Sequence, residues 1–294
     1  MRIRSTIVLG ILIFLLSSCS HLYRLLNYSP SKKIKNIEFD EKAVNEGYQF
    51  YYPDTINNKY LKKLRIDYNL DLLIKDKTRE FDKITTILNW TNKQWEHNGN
   101  NKPSKSDPIT ILEEAKKGSN FRCVEYGIIL SAALNSIGIS TRIIGLKTFD
   151  VEKVKYGAGH VASECYSKEY NKWIFIDGQF NVIPKLNEIP LNAVEFKKAI
   201  IENTDDLKIV NLNGELSKKD KSRYIEWISK YLYYFDIKFD NRINPDNDQI
   251  NIRKKSSLML VPINEKEPKI FQKKYKIDYC LYTNNINDFY QIPK

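Results

Sequence analysis

The sequence predicts an α+β fold in which one apolar helix packs on an antiparallel sheet, with a further α/β segment on its C-terminal side. Three observations carry this. Residues 121–137 are apolar and rich in small side chains, and Gly138 stands where a helix C-terminus wants a glycine. The β-branched stretch Ser140 to Phe149 follows at once and reads as a strand. His160 to Tyr166 and Lys172 to Asp177 then flank a polar turn at Ser167 to Tyr170, which is a hairpin signature. Composition agrees: 42% hydrophobic and 28% charged residues describe an ordinary globular chain, and 294 residues allow one large or two modest domains with real cores. Eleven Gly, ten Pro and four Cys are too few for a collagen-like or disulfide-scaffold protein.

The chain opens with Arg2 and Arg4, a ten-residue apolar run from Ile7 to Leu16, then Ser17, Ser18 and Cys19. A positive start, a short apolar core and small residues before a cut site describe a secretory signal. The run is too short to span a bilayer, which needs about 20 apolar residues. Leu16-Ser17-Ser18-Cys19 resembles the lipobox of bacterial lipoproteins, whose cysteine is acylated and becomes the mature N-terminus. That resemblance implies a signal peptide over 1–18, a lipid on Cys19 and a membrane-anchored protein of the bacterial cell envelope. With Ser20 next and no acidic residue close behind, the periplasmic face of the outer membrane is the expected location. Two or three acyl chains, at about 0.8 kcal/mol per buried CH₂, anchor such a protein firmly.

Residues 19–78 follow as a membrane spacer and an N-terminal helical segment. The spacer, over 20–45, is polar, contains lysines and is broken by Pro30, and Tyr60 to Leu73 is helical. The expected core, 79–190, begins with a helix over Phe81 to Trp95, where Phe81, Ile84, Ile87, Leu88 and Trp95 fall near helical spacing. Asn98 to Pro108 is a loop rich in Asn, Gly, Ser and Pro, and Ile109 to Lys117 is a short helix closed by Gly118. Ser119 or Asn120 is the expected N-cap of the apolar helix, with Cys123 in its first turn. In the C-terminal extension, 191–294, helices are expected at Leu191–Asn203 and Lys219–Phe235, a polar turn at Asp240–Asp248, and strands at Ser257–Val261 and Ile277–Thr283. The aromatic series Tyr224, Trp227, Tyr231 and Tyr234 has helical spacing and reads as core rather than as a glycan platform.

The net charge of +11 falls by two, to +9, once 1–18 and its two arginines are set aside. The excess lies in scattered doublets such as Lys32-Lys33, Lys62-Lys63 and Lys273-Lys274. A nucleic-acid footprint would concentrate it beside aromatic platforms, so no nucleic-acid partner is expected. The doublets read as solvated surface, which could also attract anionic lipid.

Chemistry concentrates on few residues. A thiol in the first turn of a helix feels the positive end of the macrodipole and unpaired backbone N–H groups, and both favour the reactive thiolate at Cys123. If His160 and Asp177 pair across the hairpin, the turn centre falls between Lys168 and Glu169, inside the polar stretch. In that register Ala162 faces Phe175 and Glu164 faces Trp173. The imidazole then has a carboxylate beside it, as a general base requires for tautomer and orientation. Alternation along the strand puts Cys165 on the opposite face. Of the other histidines, His21 lies two residues from Cys19, and His97 lies at a helix end beside a flexible loop.

Gly118-Ser119-Asn120-Phe121-Arg122-Cys123-Val124-Glu125-Tyr126, the apolar helix and Gly138-Ile139-Ser140-Thr141-Arg142 resemble the nucleophile segment of the transglutaminase-like superfamily. Gly159-His160-Val161 with Glu164, and Trp173-Ile174-Phe175-Ile176-Asp177, resemble its histidine and aspartate strands. The resemblance covers roughly 80–185, and Ala162 departs from it where many members carry an aromatic residue. It implies a papain-like core in which Cys123 is the nucleophile, His160 the general base and then acid, and Asp177 the group that orients the imidazole. The implied chemistry is acyl transfer on peptide or isopeptide amides through a Cys thioester, with hydrolysis favoured over cross-linking. The backbone N–H of Cys123 is one oxyanion donor, and a second could come from Gln94, Trp95 or Asn120. The alternative is a catalytically inactive module of the same family that binds peptide or envelope partners. No cofactor is expected. Metal binding is disfavoured because no second Cys or His lies at ligand spacing. Cys165 and Cys280 could pair in an oxidising compartment or remain buried thiols, and a redox role for the cysteines is a third possibility.

Overall fold

A helix that is apolar on nearly every side has to be buried on every side, and residues 123–136 show this. In the computed structural model Cys123–Ser136 (α5) is buried at Tyr126, Ile129, Leu130, Ala132, Ala133 and Leu134, and it packs against a mixed sheet. The structure describes residues 35–44, 47–202, 205–243 and 249–294. The chain divides into two units, 1–34 and 35–294, and all described residues belong to the second. The signal-like segment, Cys19, His21 and Pro30 therefore lie outside the described residues. Among the described residues no helix is long and apolar enough to cross a membrane.

Among the described residues four helices precede α5: Lys59–Asp67 (α1), Leu70–Ile74 (α2), Glu80–Asn92 (α3) and Pro108–Lys116 (α4). The helix expected over 60–73 is broken in two because Asn69 takes a left-handed conformation, φ 50°. α4 begins where Asp107 accepts from the Thr110 N–H and Pro108 occupies the first turn. The cap of α5 is Arg122 rather than Ser119 or Asn120. The Glu125 carboxylate reaches back to the Arg122 N–H at 3.1 Å, which satisfies the helix end from the inside. Cys123 is thus the first helical residue. Gly138, at φ 88°, releases the chain after Ile137.

The sheet then assembles from Thr141–Lys147 (β1), Gly159–Ser167 (β2) and Lys172–Ile176 (β3), with Ile183–Leu186 (β4) and Ile189–Pro190 (β5) beyond. After Ala193–Ile201 (α6), Leu207–Asn211 (β6), Gly214–Glu215 (β7) and Lys218–Ile228 (α7) come Tyr234–Lys238 (β8) and Ser257–Leu260 (β9). Ile270–Phe271 (β10), Tyr275–Lys276 (β11), Cys280–Thr283 (β12) and Ile286–Phe289 (α8) complete the chain. The main sheet has the order β12-β9-β8-β1-β2-β3, antiparallel except for the β12–β9 pair. Half of its strands come from 191–294. A second sheet, β5-β4-β6-β7, has no counterpart among the expected elements.

Two further expectations are corrected. The hairpin register is Glu164 opposite Phe175 and Tyr166 opposite Trp173, so neither Ala162–Phe175 nor Glu164–Trp173 is a pair. Asn171 at φ 52° closes a four-residue loop between Ser167 and Lys172, which moves the pairing by two positions and leaves every side chain on its expected face. The helix expected to reach Phe235 stops at Ile228, and Tyr234 and Phe235 enter β8 beside β1. The tail of the expected spacer packs on the C-terminal segment: Asp40 bridges to Asn285, and Ile37 is buried in the main core. Cys165 and Cys280 are free, buried thiols in separate clusters, and burial pushes both up from the ordinary thiol range.

Candidate active site

β2 places alternate side chains on opposite faces of the sheet. Cys165 packs under α5 with Leu130, Ala133 and Leu134, while Ala162 joins the main core on the other side. His160 lies on the Ala162 face near the start of the strand. Asp177 follows directly on β3, in a loop closed by reciprocal backbone bonds with Val182 of 3.0 and 3.3 Å. The Asn92 amide on α3 holds that loop by donating to the carbonyls of Gly178 (3.1 Å) and Gln179 (2.9 Å). Gly178 has no Cβ because one would press on Tyr126 of α5 at 3.3 Å. The aspartate loop and the cysteine helix are thereby held face to face.

The loop's two-residue offset from the expected register brings Asp177 beside His160 along a diagonal, with His160 Nε2 to Asp177 Oδ2 at 2.8 Å. His160 is 3% exposed and Asp177 fully buried. Asp177 Oδ1 accepts from the backbone N–H of Gln179 (3.1 Å) and of Phe180 (3.3 Å). With Nε2 engaged, Nδ1 is the ring nitrogen left to serve a second partner. The half-buried Cys123 stands against the same ring, close enough to raise its pKa. Burial opposes protonation of His160, but the Asp177 carboxylate and Cys123 outweigh it, and the imidazole's pKa rises to about 10. The structure thus brings together Cys123, His160 and Asp177.

Several neighbours escaped the sequence reading. The Tyr224 hydroxyl on α7 donates to Asp177 Oδ2 at 3.0 Å. Trp227 sets its ring against His160 at 4.8 Å between centroids and 80° between planes, with Tyr231 at 5.9 Å and Phe180 at 6.2 Å. The aromatic series is core, as its spacing indicates, but core laid over the imidazole. Nothing local in the sequence marks Tyr224, because α7 lies far along the chain from Asp177.

Of the three side chains considered for a second oxyanion donor, the Gln94 amide donates to Trp90 O at 2.7 Å and Asn120 Oδ1 accepts from the Glu96 N–H at 3.2 Å. Trp95 Nε1 is buried without a hydrogen-bond partner. Among the described residues no group of three or more His, Cys, Asp or Glu is placed to hold a metal ion. Surface clefts of about 490 and 410 Å³ are lined by neither Cys123, His160 nor Asp177.

A cysteine at a helix N-terminus, facing a strand histidine that is bonded to a carboxylate on the neighbouring strand's end, defines a papain-like class of site. Residues 69–178 match the sequence model of the transglutaminase-like superfamily, so this segment, somewhat over a third of the chain, is similar to that superfamily. The match takes in all three residues and ends just past Asp177. Similar solved structures include a candidate cysteine protease from Cytophaga hutchinsonii, 14% identical over 53% of this chain and 50% of that one, TM-score 0.35. LapG of Legionella pneumophila is 14% identical over 61% of this chain and 98% of that one, TM-score 0.32. In sequence, 86 residues are 30% identical to ATP synthase subunit delta of Ehrlichia chaffeensis, which is 29% of this chain and 40% of that protein. The chain therefore spans half or less of the first of these structures and of this relative, and likenesses this shallow say nothing of chemistry.

Proposed function

We propose that this protein is a cysteine enzyme that opens peptide or isopeptide amides through a thioester on Cys123. One observation carries the reading: Cys123 at the first position of α5 shares the His160 ring with Asp177, whose carboxylate takes the other ring nitrogen at 2.8 Å. His160 already holds the proton of the Cys123–His160 pair as an imidazolium, and the Cys123 sulfur adds to the amide carbonyl carbon. The Cys123 N–H, in the first turn of the helix, is the donor for the developing oxyanion. The imidazolium returns its proton to the departing amine as the C–N bond breaks, leaving an acyl-thioester. Water, deprotonated by His160, then adds to the thioester carbonyl. The acid is released and the thiol re-forms.

Hydrolysis is the favoured outcome because it needs only water at the thioester, whereas cross-linking needs a second docked amine. The lipobox-like Leu16–Cys19 supports an anchor on Cys19 at the periplasmic face of the outer membrane. Metabolic labelling with a fatty acid, lost in Cys19→Ala, tests that part.

Iodoacetamide labelling of Cys123 between pH 5 and 9 tests the chemistry. A thiol paired with the imidazole labels faster than an ordinary thiol at neutral pH and loses that advantage in His160→Ala. A peptide-cleavage screen with Cys123→Ala as control, and with a primary amine present in parallel, then separates hydrolysis from transfer. If Cys123 labels like an ordinary thiol and His160→Ala changes nothing, the chain is instead a silent module that binds partners.

A further inference from the structure

Asp177 is the most heavily bonded side chain of the site. Oδ1 holds the Gln179 and Phe180 N–H groups, and Oδ2 holds both His160 Nε2 and the Tyr224 hydroxyl. The first three donors come from the segment that matches the superfamily or from the loop that closes it. The fourth comes from α7, in the segment after residue 190 that the match does not reach. Tyr224 is itself held. Its ring lies 5.2 Å from Phe180 and is stacked against Phe196 at 6.3 Å and 12°, and Trp227 from the next turn of α7 covers His160. Only 4% of the residue is exposed, so no water replaces the hydroxyl at Oδ2. Burial first, and then the Asp177 charge, hold the phenol's pKa well above its usual 10, so Tyr224 remains a donor throughout the working range of pH.

We infer that Tyr224 is a positioning residue of the Cys123–His160–Asp177 site, supplied by the C-terminal segment to fix the Asp177 carboxylate plane and to share the charge that Oδ2 presents to His160. This rests on the reading of the site proposed above. A carboxylate oxygen that serves one donor gives that donor all of its charge; one that serves two gives each less. The Tyr224 hydroxyl therefore tempers the pull of Asp177 on the imidazolium. Too strong a pull would keep the proton on His160 when the leaving amine needs it. The same bond also prevents the carboxylate from turning within its loop.

The sign of each substitution follows. Tyr224→Phe removes the second donor and keeps the ring, so the His160–Asp177 bond strengthens. In full-length protein labelled with ¹⁵N-histidine at neutral pH, the Nε2–H proton of His160 moves downfield. The His160 titration midpoint rises by about half to one pH unit, the share expected of one hydrogen bond to a charged group. 3,5-Difluorotyrosine at position 224 keeps the shape and donates more strongly, so it moves the proton upfield. It also decides the matter if Tyr224→Phe does not fold. In Asp177→Asn both effects vanish, because Tyr224 acts only through the carboxylate. A purely structural tyrosine would change the melting temperature and leave the resonance where it is.

If both changes at 224 leave the His160 proton unmoved while Cys123 still alkylates rapidly in a His160-dependent way, the role given to Tyr224 is wrong and the enzyme reading stands. If Cys123 alkylates like an ordinary thiol in the unaltered protein, the enzyme reading falls and takes the positioning role with it.

Discussion

Arg142 and Glu164 are both fully buried and sit opposite each other on β1 and β2, joined at 2.8 and 3.2 Å. Two charges taken out of water hold only if their remaining valences are met. Glu164 Oε1 accepts from the Ala193 N–H (3.0 Å) and from the Tyr290 hydroxyl (2.9 Å), and Arg142 Nη1 donates to Phe289 O (2.8 Å) with the guanidinium 4.1 Å over Trp173. Arg142→Met is expected to cost on the order of 3 kcal/mol in urea unfolding, because Glu164 is left charged and unpaired. Arg142→Met with Glu164→Leu should cost clearly less than the sum of the single changes, and strict additivity would show that the pair is not coupled. His160 makes a second prediction, with its sign set by the raised pKa. Protonation favours the folded state, so the stability it contributes is complete below about 6.5, its unfolded value. That contribution then declines as pH rises and is lost near 10. The gap in melting temperature between the unaltered protein and His160→Ala should therefore be widest near pH 6 and close towards pH 10; a gap that widens with pH would mean that the imidazole is held neutral.

Among the elements, the pairing of β1 with β8 joins the segment that matches the superfamily to the C-terminal strands. Gly145 lies directly opposite Asp236, and any Cβ there would collide with the Asp236 carboxylate, which is paired with Lys147. Gly145→Ala should therefore cost about 2–3 kcal/mol, from overpacking and from displacing a half-buried ion pair. A loss below about 0.5 kcal/mol in chemical denaturation would mean that the seam adapts freely. Local signals in the sequence stop short of this seam. α5, β1 and the β2–β3 hairpin were legible because each rests on local signals: unbroken apolar character, β-branching, a polar turn. The nearness of His160 to Asp177 was legible because the hairpin's parity survives a shift of two residues, although its register does not. β8 was absorbed into a helix because Tyr231 and Tyr234 continue the helical spacing of Tyr224 and Trp227. Its partner on one side, β1, lies about ninety residues earlier, and no local pattern encodes such a pairing. Tyr224 was invisible as a partner of Asp177 for the same reason.

For the whole molecule, the main core is shared along the chain, drawing together Ile37 and Phe50, Ile144 and Leu146 of β1, Phe175 of β3, Phe196 of α6, Tyr224 of α7, Phe235 of β8 and Leu258 of β9. A chain ending after Pro190 would lose β8, β9 and β12 from the main sheet and leave the far edge of β1 unpaired. It would also uncover Ile144, Leu146, Ala162 and Phe175, and strip Tyr224 and Trp227 from Asp177 and His160. Each large apolar side chain returned to water costs roughly 1.5–3 kcal/mol, so uncovering even four or five of them removes most of the 5–15 kcal/mol that holds a typical domain together. The exposed edge would recruit other chains. Residues 35–190 are thus expected to be aggregated or molten, without a cooperative melting transition by near-ultraviolet circular dichroism, and their Cys123 should alkylate like a free thiol. Adding 191–294 as a separate polypeptide should restore both the transition and the fast labelling if the two parts meet only through the surfaces described. A monomeric 35–190 fragment that melts cooperatively and keeps a fast, His160-dependent thiol would show that the C-terminal segment is an accessory, and that the sheet's first half carries the site alone.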